Sequence, residues 1–156
     1  MRRVILTVLS FIIGGTTYSQ THQILFVCEH GSAKSMIAAA YFNKYAKDKN
    51  LSWEAISRGT SPDQEMSAKT KELLKGDKLY DKNLKPHKLS QADVNNAEQV
   101  VMFYALPGDI RVKNNTQYWL DINAVNGDFQ KLRDEILNKV VYPLIDSLER
   151  NKPSRP

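Results

Sequence analysis

The sequence predicts one α/β domain, a three-layer sandwich with a central four-stranded parallel sheet and helices on both faces. The first supporting observation is that short apolar runs alternate along the chain with longer segments whose apolar residues recur at helical spacing. The second is size and composition. The chain has 156 residues, of which 42% are hydrophobic and 25% charged, as is typical of one globular domain with a substantial core.

Four short segments are predicted as strands. They are residues 23–27, 53–57, 100–104 and 117–119. The first is a continuous apolar run suited to a buried strand, the third is the strongest strand pattern in the chain, and the fourth is brief. Ligands of such sheets bind at the carboxyl ends of the strands, near the start of a helix. The turn after the first strand is therefore the first place to expect a site.

Four segments have helical spacing of apolar residues. They are residues 35–49, 67–75, 90–96 and 129–149. Ser90 and Asp93 form a capping-box pattern at the start of the third helix. Pro143 should kink the fourth helix unless the backbone accommodates it locally. Residues 76–88, rich in Lys, Asp and Asn, are predicted as a loop, and Pro107-Gly108 marks a turn.

The N-terminus has the pattern of a secretory signal. Arg2 and Arg3 precede an apolar run over residues 4–13, and mostly small residues follow up to Ser19. Such a run is too short to span a hydrocarbon core of about 30 Å. We therefore expect cleavage after residues 1–19, an exported protein that is periplasmic or secreted, and no membrane span after cleavage.

The distribution of charge along the chain argues against nucleic acid as a partner. Of 22 basic and 17 acidic side chains, the signal removes two arginines and no acid, which lowers the net charge from +5 to +3. The charges are mixed along the chain and form no basic stripe, so we expect no binding of nucleic acid. No linker or repeat divides the rest, which is predicted as one domain over residues 20–150 with a tail at 151–156.

The number of cysteines limits which disulfides and metal sites the chain can form. One Cys excludes an internal disulfide framework and a Cys₄ metal site, and three His leave little material for another metal centre. We expect neither a metal nor a cofactor. An unpaired cysteine is unusual in an exported protein, so this one points to a function.

The cysteine opens the turn after the first strand. The turn reads Cys28-Glu29-His30-Gly31-Ser32-Ala33-Lys34-Ser35. A tight loop that enters a helix directs main-chain N–H groups inward and forms an anion-binding nest, which we assign to residues 29–33. That field favours the thiolate and makes Cys28 a candidate nucleophile. Gly31 permits a positive φ and a close approach of the backbone to a ligand.

Two further residues complete this candidate catalytic set. Lys34 brings a full positive charge to the rim, and Ser35 can donate its hydroxyl to the thiolate or cap the helix. His30 has three interpretations that the sequence leaves open: it tunes the thiolate, contacts the substrate or faces outward. Zinc binding by Cys28 and His30 is disfavoured because further ligands are missing.

These motifs resemble the low-molecular-weight protein tyrosine phosphatases and the arsenate reductases that share their scaffold. The family pattern is strand, Cys, five residues, Arg, Ser and helix. Residues 57–60 are similar to the Ser-x-Gly-Thr that ends the family's second strand, and residues 118–123 fall where the family carries its catalytic Asp loop. The resemblance covers residues 23–149.

The chain departs from the family at two positions. Lys34 replaces an arginine whose planar fork grips two phosphate oxygens, so anion binding should survive while transition-state stabilisation falls. The family's Asp-Pro pair is absent. Asp121 is the predicted general acid, although Asn123 occupies what could be the aligned position, and Asp128 is a second candidate.

The resemblance implies a two-step hydrolysis of phosphotyrosine or similar phosphomonoesters through a cysteinyl-phosphate intermediate, without a metal. The implied partners are a phosphorylated protein or a small phosphomonoester, with inorganic phosphate or other oxyanions as ligands. Two alternatives stay open. One is a phospho-anion-binding protein with little or no turnover. The other is an arsenate reductase that uses an external thiol, since the chain has no second cysteine.

Overall fold

The computed structural model describes residues 21–123 and 127–152. The predicted signal segment, residues 1–19, lies outside the described residues, as does the tail from residue 153 onward.

The described strands form one parallel sheet. They are β1 (His22–Cys28), β2 (Trp53–Gly59), β3 (Gln99–Met102) and β4 (Thr116–Tyr118). Their order is β2-β1-β3-β4, and every neighbouring pair is parallel. This confirms the predicted four-stranded sheet. β2 runs two residues further than predicted because Arg58 and Gly59 stay paired with Val27 and Cys28, which brings the ends of both strands to the same edge.

Helices connect and follow the strands. They are α1 (Lys34–Asp48), α2 (Ala68–Gly76), α3 (Gln91–Asn96), α4 (Phe129–Ile136) and α5 (Tyr142–Arg150), with a π-helical turn over Leu137–Val141 between the last two. The capping box of Ser90 and Asp93 is present. Pro143 falls in the first turn of α5. The π-helical turn ahead of it is the local backbone change that accommodates this proline.

The core lies on both faces of the sheet because β1 is buried on both. Ile24 and Phe26 point into a large cluster with α1, α4 and α5, whereas Leu25 and Val27 pack on the other face against Val94 of α3. This alternation with a period of two produces the predicted three layers. No helix in the described ranges has the length and apolar character needed to cross a membrane.

Candidate active site

The catalytic loop, residues 28–35, is held from outside by the segment that follows β2, residues 60–67. Four main-chain hydrogen bonds join Thr60 N–H to Cys28 O (3.0 Å), Ser61 N–H to Glu29 O (2.8 Å), Asp63 N–H to His30 O (3.0 Å) and Ser67 N–H to Ser32 O (3.2 Å). Four carbonyls of the loop therefore accept from the 60–67 segment.

The N–H groups of the loop remain available to a ligand. Within residues 21–123 and 127–152, the structure shows no acceptor for the main-chain N–H groups of Glu29, His30, Ser32, Ala33 and Lys34. Ala33 is the N-cap of α1 and makes no side-chain capping bond, so the first turn of that helix is also open. This arrangement suits the anion nest predicted at residues 29–33, and anion binding there stays a prediction.

Two glycines permit this close packing. Gly31 has φ +62, the left-handed region that favours glycine. A Cβ on Gly31 would lie 2.9 Å from Gly59 N, and a Cβ on Gly59 would lie 2.7 Å from Gly31 N. Only glycine fits on both sides of this contact, so Gly59 shapes the loop as directly as Gly31 does.

Cys28 lies at the floor of the loop and is 3% exposed. Its Sγ accepts from Gly31 N–H at 3.2 Å and lies 3.0 Å from Ser35 Oγ. The Ser57 hydroxyl donates to Ser35 Oγ at 2.9 Å, which leaves the Ser35 hydrogen free to point at the sulfur. Two donors, the Gly31 N–H and the Ser35 hydroxyl, can then reach Sγ. Ser57 entered the sequence interpretation only as part of a motif; its pairing with Ser35 needed the structure.

Lys34 reaches across the sheet edge rather than along the loop. Its Nζ donates to Phe103 O at 3.2 Å, Ile122 O at 3.0 Å and Asn123 Oδ1 at 3.3 Å. These three bonds use all three donors of an ammonium group. Burial lowers the pKa of Lys34, and the charges of Cys28 and Glu29 oppose this shift. The lysine thus ties the start of α1 to the 119–123 segment.

Asn123, rather than Asp121, is the side chain of that segment that lies beside Lys34. The Asp121 carboxylate is 71% exposed and lies 3.2 Å from Lys139 Nζ. The hydrogen bond from Lys139 lowers the pKa of Asp121, which favours the ionised form over the proton-donating one. The structure does not bring Asp121 to Cys28, and its role as general acid stays a prediction.

The second acid candidate, Asp128, is the N-cap of α4. Its carboxylate accepts from the main-chain N–H groups of Gln130 and Lys131 at 3.1 and 3.0 Å. The backbone bond from Lys131 lowers the pKa of Asp128. A capping role accounts for these contacts.

His30 lies on the outer rim of the loop between two carboxylates. Its Nε2 is 3.5 Å from Glu29 Oε2 and its Nδ1 is 3.4 Å from Asp63 Oδ1. Asp63 also accepts from Ser32 Oγ at 2.5 Å. Of the three interpretations left open for His30, an outward-facing side chain fits these contacts. Asp63, absent from the predicted site, is the residue that links the 60–67 segment to the loop side chains. No group of three His, Cys, Asp or Glu in the described part of the chain is placed to hold a metal.

Comparison with known proteins places this site in a family. A family model described as low molecular weight phosphotyrosine protein phosphatase matches residues 23–113, which is more than half of the chain. The chain belongs to that family, as its residues predicted. A search of curated proteins finds none that matches.

Solved structures share the fold. The thioredoxin-dependent arsenate reductase Cg_ArsC1' of Corynebacterium glutamicum has 22% identity and a TM-score of 0.71 over 86% of this chain, which spans 65% of the reductase. YfkJ of Bacillus subtilis has 18% identity and a TM-score of 0.73, covering 86% of this chain and 99% of that one. A low molecular weight protein tyrosine phosphatase from Bacillus subtilis has 16% identity and a TM-score of 0.66, covering 85% and 99%.

Proposed function

We propose that this protein is a cysteine-dependent phosphatase that hydrolyses phosphotyrosine or similar phosphomonoesters. One observation carries the proposal: buried Cys28 lies under a loop in which four carbonyls accept from the 60–67 segment, while five main-chain N–H groups have no acceptor among the described residues. That geometry suits an anion with several oxygens, because each oxygen finds a main-chain donor. The family in which the chain belongs contains phosphatases with a catalytic cysteine.

The proposed reaction has two steps. The Cys28 thiolate attacks phosphorus, a sulfur–phosphorus bond forms and the bond to the leaving oxygen breaks. The loop N–H groups and the open first turn of α1 hold the equatorial oxygens as charge develops on them. Water then attacks the cysteinyl phosphate, which releases inorganic phosphate and restores the thiolate with Ser35 as its hydrogen-bond partner.

Proton supply limits which esters react. A leaving oxygen of high basicity needs a proton in the transition state, and Asp121 can supply one only by turning away from Lys139. Esters with weakly basic leaving groups, such as 4-nitrophenyl phosphate, depend less on that proton. We therefore expect turnover to be fastest on activated aryl phosphates.

The same contacts favour a second candidate function. Lys34 has its donors engaged and Asp121 is ion-paired, so the loop is better equipped to bind an oxyanion than to expel a poor leaving group. A phospho-anion-binding protein of this fold would be stabilised by phosphate or vanadate without turning over aryl phosphates.

The N-terminal signal pattern supports an exported location, periplasmic or secreted, as part of the proposal. N-terminal sequencing of the protein recovered from expressing cells tests it: a chain that starts near Gln20 is expected, and an intact Met1 in the exported fraction would contradict it.

The activity itself is tested by incubating the protein with 4-nitrophenyl phosphate with and without a thiol reductant. The proposal expects turnover that vanadate inhibits and that the reductant preserves, because oxidation of Cys28 removes the nucleophile. Thermal stabilisation by phosphate without turnover would instead establish the binding protein.

A further inference from the structure

A cationic cavity lies beside the segment that holds the catalytic loop. It measures about 360 Å³ and lies between the 60–67 segment, α2 and the chain that follows α2. The lining residues used below are Met66, Lys71, Tyr80, Lys82, Leu84 and Lys85. Residues 67–75 are predicted as a helix and residues 76–88 as a loop, and neither the fold nor the proposed reaction gives the cavity between them a role.

Within the described part of the chain, the lining lysines Lys71, Lys82 and Lys85 form no ion pair with a carboxylate. Lys71 Nζ lies 5.5 Å from the centre of the Tyr80 ring, and Nζ of Lys75, a residue of α2 outside the lining, lies 5.2 Å from it. Among the ion pairs of the described residues, the lysines that pair with carboxylates are Lys44, Lys49, Lys131 and Lys139, all outside the cavity. Glu65 is the one acidic side chain in the lining. The cavity therefore carries a concentrated positive charge that an anionic partner would neutralise.

The floor of the cavity is apolar. Met66, Tyr80 and Leu84 are partly buried and pack against the main core cluster. A cationic rim around an apolar floor fits a polypeptide segment that carries acidic residues together with an apolar side chain. Nucleic acid fits less well, because base stacking needs a free aromatic face and ammonium groups already lie over Tyr80.

The cavity and the catalytic loop share one segment. Asp63 donates its main-chain N–H to His30 O of the loop, and the next residue, Gln64, already lines the cavity. A phosphorylated polypeptide whose phosphoryl group enters the loop would thus present its neighbouring residues to the lysines.

We infer that this cavity binds an acidic segment of a phosphorylated polypeptide substrate, a preference that rests on the proposed phosphatase function. The lysines attract the acidic residues, and apolar Met66 and Leu84 receive an adjoining side chain. The preference is electrostatic, so it weakens as salt rises.

The test compares two phosphotyrosyl peptides of equal length, one flanked by Asp and Glu and one by Asn and Gln. At low salt the protein is expected to favour the acidic peptide by about tenfold in kcat/KM, and the advantage should shrink at high salt. The exposed double variant Lys82→Gln/Lys85→Gln should lose most of this preference while its turnover of 4-nitrophenyl phosphate stays within about twofold of the original.

A matched control removes two exposed lysines of α1, in Lys44→Gln/Lys47→Gln, and should keep the preference. Equal kcat/KM for both peptides in the unaltered protein, or an unchanged preference in Lys82→Gln/Lys85→Gln, would overturn the inference. So would a single-stranded oligonucleotide that competes as well as the acidic peptide does.

Binding is measured separately from turnover in the Cys28→Ser variant. The two peptides carry a fluorescent label, and the anisotropy of the label reports binding. A preference for the acidic peptide that Lys82→Gln/Lys85→Gln removes supports the cavity even if no turnover is seen, and in that case only the phosphatase function fails. Equal binding of both peptides to Cys28→Ser would overturn the cavity's role whatever the turnover.

Discussion

Lys34 is the residue at which this chain departs most from the family pattern. The family carries an arginine there. The three N–H groups of Lys34 instead donate to Phe103 O, Ile122 O and Asn123 Oδ1. Its charge acts on Cys28 and Glu29 through space, while none of its N–H groups is left for an anion. The oxygens of a bound phosphoryl group therefore depend on the main-chain N–H groups of the loop.

Lys34→Arg should raise kcat on an aryl phosphate. A guanidinium has five N–H donors, so it can keep carbonyl contacts at the sheet edge and still offer a fork to the phosphoryl oxygens. We expect a gain of about tenfold, which corresponds to about 1.4 kcal/mol of transition-state stabilisation. Steady-state kinetics with 4-nitrophenyl phosphate measure it. A variant slower than the original would mean that the loop has been reshaped around lysine.

Asn123→Asp should add a carboxyl group that can donate a proton at acidic pH, since Lys34 beside it favours the ionised form as Lys139 does for Asp121. The new carboxyl would lie beside Lys34 at the position where Asn123 Oδ1 now accepts. Turnover of phenyl phosphate should rise more than that of 4-nitrophenyl phosphate, because the less activated ester depends more on the proton. The pH–rate profile should also gain a basic limb, because the new carboxyl group loses its proton as the pH rises.

Asp121→Asn is the matched variant, since it alters a carboxylate two residues away. If Asp121 is the general acid, as the sequence predicts, this change slows phenyl phosphate far more than the nitrophenyl ester. The Lys139 contact leads us to expect a small and equal effect on both esters. A strong leaving-group dependence in Asp121→Asn would show that the side chain turns into the site during turnover.

At the scale of elements, β1 and β2 shape the site by ending together. Their register pairs Cys28 with Gly59, so the catalytic loop and the 60–67 segment leave the sheet side by side and bond to each other. The catalytic loop is thereby fixed by its neighbour.

Gly59→Ala should lower activity sharply while the rest of the domain folds. Its Cβ would lie 2.7 Å from Gly31 N, a backbone atom that cannot yield without opening the loop. We expect at least a tenfold loss of kcat/KM and a destabilisation of about 1–3 kcal/mol. Gly76→Ala is the control, since nothing lies within 4 Å of a Cβ there and alanine suits the end of α2. Full activity in Gly59→Ala would contradict the proposed tight contact.

A second contact between elements makes stability depend on pH. Asp77 at the end of α2 accepts from Tyr41 of α1 and from Arg133 Nη1 of α4. The Tyr41 hydrogen bond holds the pKa of Asp77 below 3.8. A carboxylate with a lowered folded pKa stabilises the fold above its unfolded pKa, and this contribution is lost as the pH falls through the folded value.

Asp77→Asn should therefore lower the free energy of unfolding by about 1 kcal/mol at pH 7. Below about pH 4 the difference from the original protein should shrink. Urea unfolding at a series of pH values measures it. Parallel pH curves for the two proteins would show that Asp77 carries no such linkage.

The sequence could predict the elements because their signals are local. The apolar run of β1, the Ser90/Asp93 capping box and the spacing of α1 each depend on neighbouring residues. The direction of Lys34, the pairing of Ser57 with Ser35 and the contact between Gly31 and Gly59 could not be predicted in this way, because each joins segments far apart in the chain. The open N–H groups of the catalytic loop suit the predicted nest, because strand, glycine loop and helix follow one another directly in the chain.

At the scale of the whole molecule, the parallel sheet gathers the site at one edge. The ends of β1, β2 and β3 deliver Cys28, Gly59 and Phe103 to the same place, and α1 begins there with an uncapped first turn. The chain has one cysteine, so no second thiol of its own can protect or resolve Cys28. At the exported location proposed above, an external reductant would have to keep this residue reduced.

The central claim is that Cys28 becomes phosphorylated during turnover, and trapping that intermediate tests it most directly. The protein is mixed with an excess of 4-nitrophenyl phosphate, quenched in acid within the first turnovers, and its intact mass and peptide map are measured. The account predicts one added phosphoryl group on the peptide that contains Cys28, and none in Cys28→Ser, which should still bind vanadate. Hydrolysis without phosphorylated Cys28, or undiminished turnover by Cys28→Ser, would contradict it.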